Sequence, residues 1–234
     1  MDFSADISSQ IFALRPDFSN SREPVLTIPT PFLCAVLGVA LSREAAAQQH
    51  LFFQTLKDHP SLRSAARWLF ESYAHVLLSK PTRQPLEAFL SDDPTPNPHL
   101  IPVPRELISG SLTNIQTPYD FYWRPREPNF PDVDALIRKD NIVWALQFTI
   151  GPSSSSTTEG LTRVFSQMNH KTGVEWKLVI VGLNRHDLAI ARDQHRLDGE
   201  WQNVPVYTCE LPLGEFNEVD MQELQKTLDE VSNT

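Results

Sequence analysis

Residues 130–150 constrain the fold more than any other stretch of this chain. Phe130-Pro131-Asp132-Val133-Asp134-Ala135-Leu136-Ile137 leads into the polar Arg138-Lys139-Asp140-Asn141, and Ile142-Val143-Trp144-Ala145-Leu146-Gln147-Phe148-Thr149-Ile150 follows. Two runs of this composition around a short polar turn predict strands near 132–138 and 141–150, paired as an antiparallel hairpin. Successive side chains of a strand point to opposite faces. Asp132 and Asp134 then share one face of the first strand, Gln147 and Thr149 share one face of the second, and pairing brings Asp134 beside Gln147.

The segments around the hairpin set the fold class. Lys177 to Leu183 is a nearly continuous apolar run, the pattern of a strand covered on both faces, and Val204 to Leu211 predicts another strand. Between them, Gly151 to Thr157 reads as a loop. Thr157 or Thr158 caps a helix through Leu161, Val164, Phe165 and Met168, and a short helix is expected over 187–197. A terminal helix is expected over 215–231. Upstream, proline at the first turn and good helix formers predict a helix from Pro31 to Lys57, and Ser61 caps a second helix that ends at Lys80-Pro81. Residues 91–128 are proline-rich and read as an extended connection, with a strand near Tyr119–Trp123 and a brief helix or strand over Arg105–Leu112. This order of elements is that of an α/β chain with a mixed sheet. The domain plan is a partly ordered arm over 1–30, a helical segment over 31–58 and the main domain over 59–234.

Composition excludes several classes. A length of 234 residues suits one substantial core, and a net charge of -9 argues against a broad basic surface for non-specific nucleic-acid binding. The two cysteines, Cys34 and Cys209, lie in apolar contexts and read as buried free thiols. The longest apolar run, Phe32 to Leu41, is shorter than the roughly 20 residues that a spanning helix needs. No signal-peptide pattern opens the chain, so an intracellular protein of cytoplasm or nucleus is expected, without a membrane partner. The serines and His195 form no nucleophile elbow or triad order.

The hairpin carries the candidate chemistry. A hard cation such as Mg²⁺ takes oxygen ligands, keeps several waters and is held by as few as one or two carboxylates. Asp134, the amide oxygen of Gln147 and the backbone carbonyl of Phe148 supply such a set, and the ion would activate water and stabilise charge on a phosphate. The competing reading makes Asp132 and Asp134 edge-strand surface charges and Gln147 a satisfied polar group of the core.

Four segments in order then resemble the PD-(D/E)xK nuclease superfamily, and most of all its divergent branch at the C-termini of Crinkler and retrotransposon-hot-spot proteins. They are Leu69-Phe70-Glu71, Asn129 to Leu136, Leu146-Gln147-Phe148-Thr149-Ile150 and Glu159-Gly160-Leu161, spread over roughly residues 50–212. The resemblance implies a restriction-endonuclease-like three-layer sandwich, with a central mixed sheet between helices, over residues 59–234. It also implies a Mg- or Mn-dependent endonuclease acting on DNA, as part of a Crinkler-like effector. In that pattern Glu71 is the helix acid and Asp134 the central metal ligand, with Gln147, Phe148 and Glu71 completing the metal set. Gln147 and Thr149 stand at the E-x-K positions, so the motif is degenerate. Threonine has no ammonium to orient water or carry a proton. Lys171 and Lys177, around the start of the next strand, are the candidate replacements, and His170 is a candidate base. The alternative implied by the missing lysine is an inactive nuclease-like fold that binds nucleic acid or protein, alone or fused to an N-terminal module. Tyr119, Phe121, Tyr122, Trp123, Arg124 and Arg126 are either a stacking surface for a nucleic-acid strand or the packing of a proline-rich connection.

Overall fold

The computed structural model describes residues 13–16, 24–27, 53, 55, 63–80, 83–90, 98–110, 112–114, 120–125, 130–131, 133–151, 158–168 and 173–211. The chain divides into two compact units, residues 1–76 with 212–234, and Leu77–Leu211. In the first unit, β1 (Ala13–Pro16) and β2 (Pro24–Thr27) form an antiparallel pair. Helix α1 (Arg63–Ser79) spans the boundary at residue 76. It buries Ala66, Leu69, Phe70, Tyr73 and Ala74 at the three- and four-residue spacing of one helical face, and the Phe53 ring meets Phe70 and Tyr73 edge-on at 6.1 and 6.4 Å. The helix expected over 31–57 lies outside the described residues except for Phe53 and Thr55, which are helical; that over 215–231 lies wholly outside them, as does Cys34.

Among the described residues, the second unit is mixed α/β, built on one sheet of eight strands. In chain order these are β3 (Leu86–Leu90), β4 (His99–Ile101), β5 (Glu106–Ser109), β6 (Asp120–Arg124), β7 (Ala135–Lys139), β8 (Ile142–Phe148), β9 (Glu175–Gly182) and β10 (Val206–Glu210). Across the sheet the order is β4-β3-β10-β9-β8-β7-β6-β5. β6, β7 and β8 form an antiparallel meander, whereas β8, β9 and β10 are parallel. The two parallel steps are made by helices α2 (Thr158–Gln167) and α3 (Arg185–Gln194). Asn184 caps α3 by accepting from the Asp187 amide at 2.8 Å.

Register assigns every strand residue to a face. Val143, Ala145 and Gln147 share a face with Leu136, Trp176, Leu178 and Ile180, because Leu136 pairs with Ala145 and Gln147 with Ile180. Val143, Ala145, Leu136, Trp176 and Leu178 join Leu161 and Val164 of α2 in one apolar cluster, and Ile180 packs with Leu188 and Ala191 of α3. Both crossover helices therefore lie on the Gln147 face. The opposite face carries Trp144, Leu146, Phe148, Val179, Val181 and Tyr207, all buried. Burial on both sides explains why β9 reads as a continuous apolar run.

Two strands escape pattern reading: β3 is Leu-Glu-Ala-Phe-Leu, a helix-favouring composition, and β4 is only three residues long, whereas β5 falls within the brief helix or strand expected over Arg105–Leu112. Sheet pairing overrides these local preferences. The hairpin turn is shorter than expected, with only Asp140 and Asn141 between β7 and β8, and Asp140 takes a positive φ of 54°. Aspartate tolerates that conformation better than most residues.

Candidate cation site at the end of the hairpin

Asp134 immediately precedes β7, one step beyond the Ala135–Leu146 pair of the ladder, so the register sets it across from Gln147. Its backbone N–H donates to the Leu146 carbonyl at 2.9 Å. Its carboxylate Oδ2 accepts the Phe148 N–H at 2.6 Å, a short charge-assisted bond that closes the open end of the ladder. Asp134 is 9% exposed and Gln147 3%. The register thus places a carboxylate and a carboxamide across from each other on the face that carries α2, beside the last residue of β8.

The approach of α2 fixes the chain leading to Asp134. Gly160, in the first turn, is so close to Pro131 that a Cβ would overlap the Pro131 carbonyl oxygen and lie 2.9 Å from Val133 Cγ2. Gly182 makes a similar approach where β9 ends: a Cβ there would lie 2.9 Å from the Thr149 carbonyl oxygen. Glycine is needed at both places because backbone atoms occupy the space. Strand and helix periodicity do not single out either glycine.

Thr149 is not on the strand. β8 stops at Phe148; the Thr149 N–H still bonds the Val181 carbonyl at 2.9 Å, but its hydroxyl donates to Gly151 O at 2.8 Å and accepts from Gly151 N at 3.3 Å. That local loop turns the chain at Ile150–Gly151, so the alternation that paired Thr149 with Gln147 ends one residue earlier. Phe148, whose carbonyl was a candidate ligand, ends the strand with its ring buried on the face opposite Gln147.

Lys177 also departs from its expected place. It pairs with Trp144, on the face opposite Gln147. It is buried there, with Nζ 3.2 Å from Glu175 Oε1, 4.8 Å from the Trp144 ring centre and 5.8 Å from that of Tyr207. An ion pair and two aromatic faces accommodate this ammonium. Tyr207 itself is raised above the ordinary phenol range by burial and by the neighbouring Glu175 charge. Lys171, His170, Asp132 and the serine run lie outside the described residues. Glu71 belongs to the first unit, where its Oε1 lies 3.6 Å from His75 Nε2 one helical turn on.

The aromatic stretch before the hairpin is core. Phe121, Tyr122 and Trp123 are all buried in β6, and Trp123 Nε1 donates to Gly110 O at 2.7 Å. Only Arg124 of the described part is exposed, so those three rings offer no stacking platform.

The donor set at Asp134 and Gln147 suits a hydrated hard cation held through one carboxylate. Among the described residues, no three or more His, Cys, Asp or Glu side chains gather as a metal cluster. No described helix is long and apolar enough to cross a membrane. No family model, curated protein or solved structure matches the chain.

Proposed function

We propose that this chain carries a PD-(D/E)xK-like nuclease domain that binds Mg²⁺ or Mn²⁺ and acts on the phosphodiester backbone of DNA. The observation that carries the proposal is the Asp134–Gln147 juxtaposition, with the Phe148 N–H fixing the carboxylate. The meander β6-β7-β8 followed by α2 and parallel β9 also supports it, because that order sets the two residues side by side as the family pattern requires. The three-layer sandwich, with helices on both faces of the sheet, belongs to this proposal.

In this reading Asp134 supplies the only formal charge of the hairpin's donor set, and the Gln147 amide oxygen and Phe148 carbonyl add neutral donors. The Phe148 N–H orients the carboxylate, and the buried surroundings strengthen its field by excluding water. When bound, the cation would lower the pKa of a coordinated water and offset charge on the phosphate. Proton handling then falls to Lys171 or His170, since Lys177 is engaged with Glu175 on the other face.

A second reading is favoured by a specific observation: the Thr149 hydroxyl is committed to the Gly151 bend and Lys177 faces away from Gln147. Under it, the fold retains cation and DNA or protein binding without hydrolysis and serves as an effector module. Cleavage of plasmid and single-stranded DNA in Mg²⁺ and in Mn²⁺ decides between the two. The nuclease predicts metal-dependent cleavage that Asp134→Asn and the double variant His170→Ala with Lys171→Ala abolish and Lys177→Met leaves intact. Intact DNA with both metals, together with cation binding that Asp134→Asn removes, selects the binding module. Absence of both cleavage and cation binding overturns both readings.

A further inference from the structure

We infer that Gly160 is a positioning residue for Asp134: the first turn of α2 sets the geometry of a carboxylate on a neighbouring strand. The inference rests on the cation-binding reading of Asp134 for its functional consequence, but its structural content stands separately. Three observations join end to end. The Gly160 Cα lies against the Pro131 carbonyl so closely that any side chain would displace backbone, which cannot rotate away as a flexible side chain can. Val133, between Pro131 and Asp134, is fully buried in the cluster that contains Leu161 and Val164 of the same helix. Asp134 is then held at its far side by the Leu146 carbonyl and the Phe148 N–H.

The chain leading to Asp134 is thus clamped between α2 on one side and β8 on the other. Adding one methyl at residue 160 forces either Pro131 or the first turn of α2 to move. Because Val133 is locked to the same helix, that movement reaches Asp134, whose hydrogen bond to Phe148 is the first interaction to lengthen. A glycine required only for local helix packing would not single out that bond.

The Phe148 amide reads this directly. In Gly160→Ala, hydrogen exchange of the Phe148 amide should accelerate by at least about tenfold relative to the core amides of Val179 and Ile180, the scale expected when a charge-assisted bond is lost. Mn²⁺ affinity should fall in the same variant, in the direction of Asp134→Asn. Val133→Ala loosens the same clamp from the strand side and carries the test if Gly160→Ala does not fold; it too should accelerate Phe148 selectively. Exposed Glu159→Ala, in the same helical turn, should leave Phe148 unchanged. Equal acceleration of all amides, or an unchanged Phe148 amide in folded Gly160→Ala, overturns the inference. Failure of wild-type protein to bind Mn²⁺ overturns the cation reading alone and leaves the Phe148 result standing.

Discussion

A single pair of substitutions separates the structural role of Asp134 from the cation-binding role proposed for it. Its carboxylate accepts the Phe148 N–H, and its charge is what a cation would need. Asparagine keeps an acceptor oxygen, so Asp134→Asn should retain stability to within about 1 kcal/mol while weakening Mn²⁺ binding at least tenfold or so. Asp134→Ala leaves a buried N–H without its acceptor and should cost about 1–3 kcal/mol. Urea denaturation and calorimetric Mn²⁺ titration on both variants check this; equal stability losses would show that the carboxylate does not hold the ladder. Candidate residues were legible where local periodicity speaks, as for Asp134 and Gln147. At Thr149 the expected strand runs past its end at Phe148, and the Thr149 hydroxyl bonds the Gly151 backbone instead.

Elements show how much of the sheet depends on non-local anchors. β4 has only three residues, yet it holds the edge beyond β3. Arg83 explains part of this: its guanidinium donates to the carbonyls of Leu78 at 3.2 Å, Ile101 at 3.4 Å, Pro102 at 2.6 Å and Gln84 at 3.0 Å, tying the last turn of α1 to the end of β4. Burial lowers its pKa to about 10, so it remains charged at neutral pH. Arg83→Ala should destabilise by roughly 2–4 kcal/mol, because the buried bonds to the Leu78 and Ile101 carbonyls and the part-buried ones to Gln84 and Pro102 are lost at once. Arg83→Lys should recover less than half, since one ammonium cannot reproduce a planar fork of five donors. Denaturant midpoints and exchange of the Ile101 amide test both. Nothing in the local sequence around Arg83 announces this role, which exists only because Ile101 and Pro102 return to it in space.

The whole second unit has an alkaline sensitivity through Cys209. Burial pushes this thiol from 9.0 up to about 12, because the thiolate would be desolvated on the face that carries Val179 and Val181. The folded state therefore keeps a proton that the unfolded chain releases. Its contribution to stability is complete below pH 9 or so and is lost as pH rises toward 12. Between about pH 8 and about pH 10.5 the wild type should lose up to about 2 kcal/mol more stability than Cys209→Ala. Cys34 is common to both chains and drops out of the comparison. Parallel pH-dependent melts that leave the two chains equally affected would refute it.

The sequence by itself determined the hairpin, the buried strand β9, the helices between the parallel strands and the pairing of Asp134 with Gln147. These follow from alternation, helical spacing and turn chemistry, which act over a few neighbouring residues. Tertiary structure alone decided which face Lys177 occupies, because that depends on the β8–β9 register, and a slip of one residue would have moved it to the Gln147 side. It also decided that Leu86–Leu90 is a strand despite its helix-favouring residues, and that Phe121, Tyr122 and Trp123 are core. Such outcomes rest on contacts between segments far apart in the chain, and no local pattern encodes the energy those contacts supply.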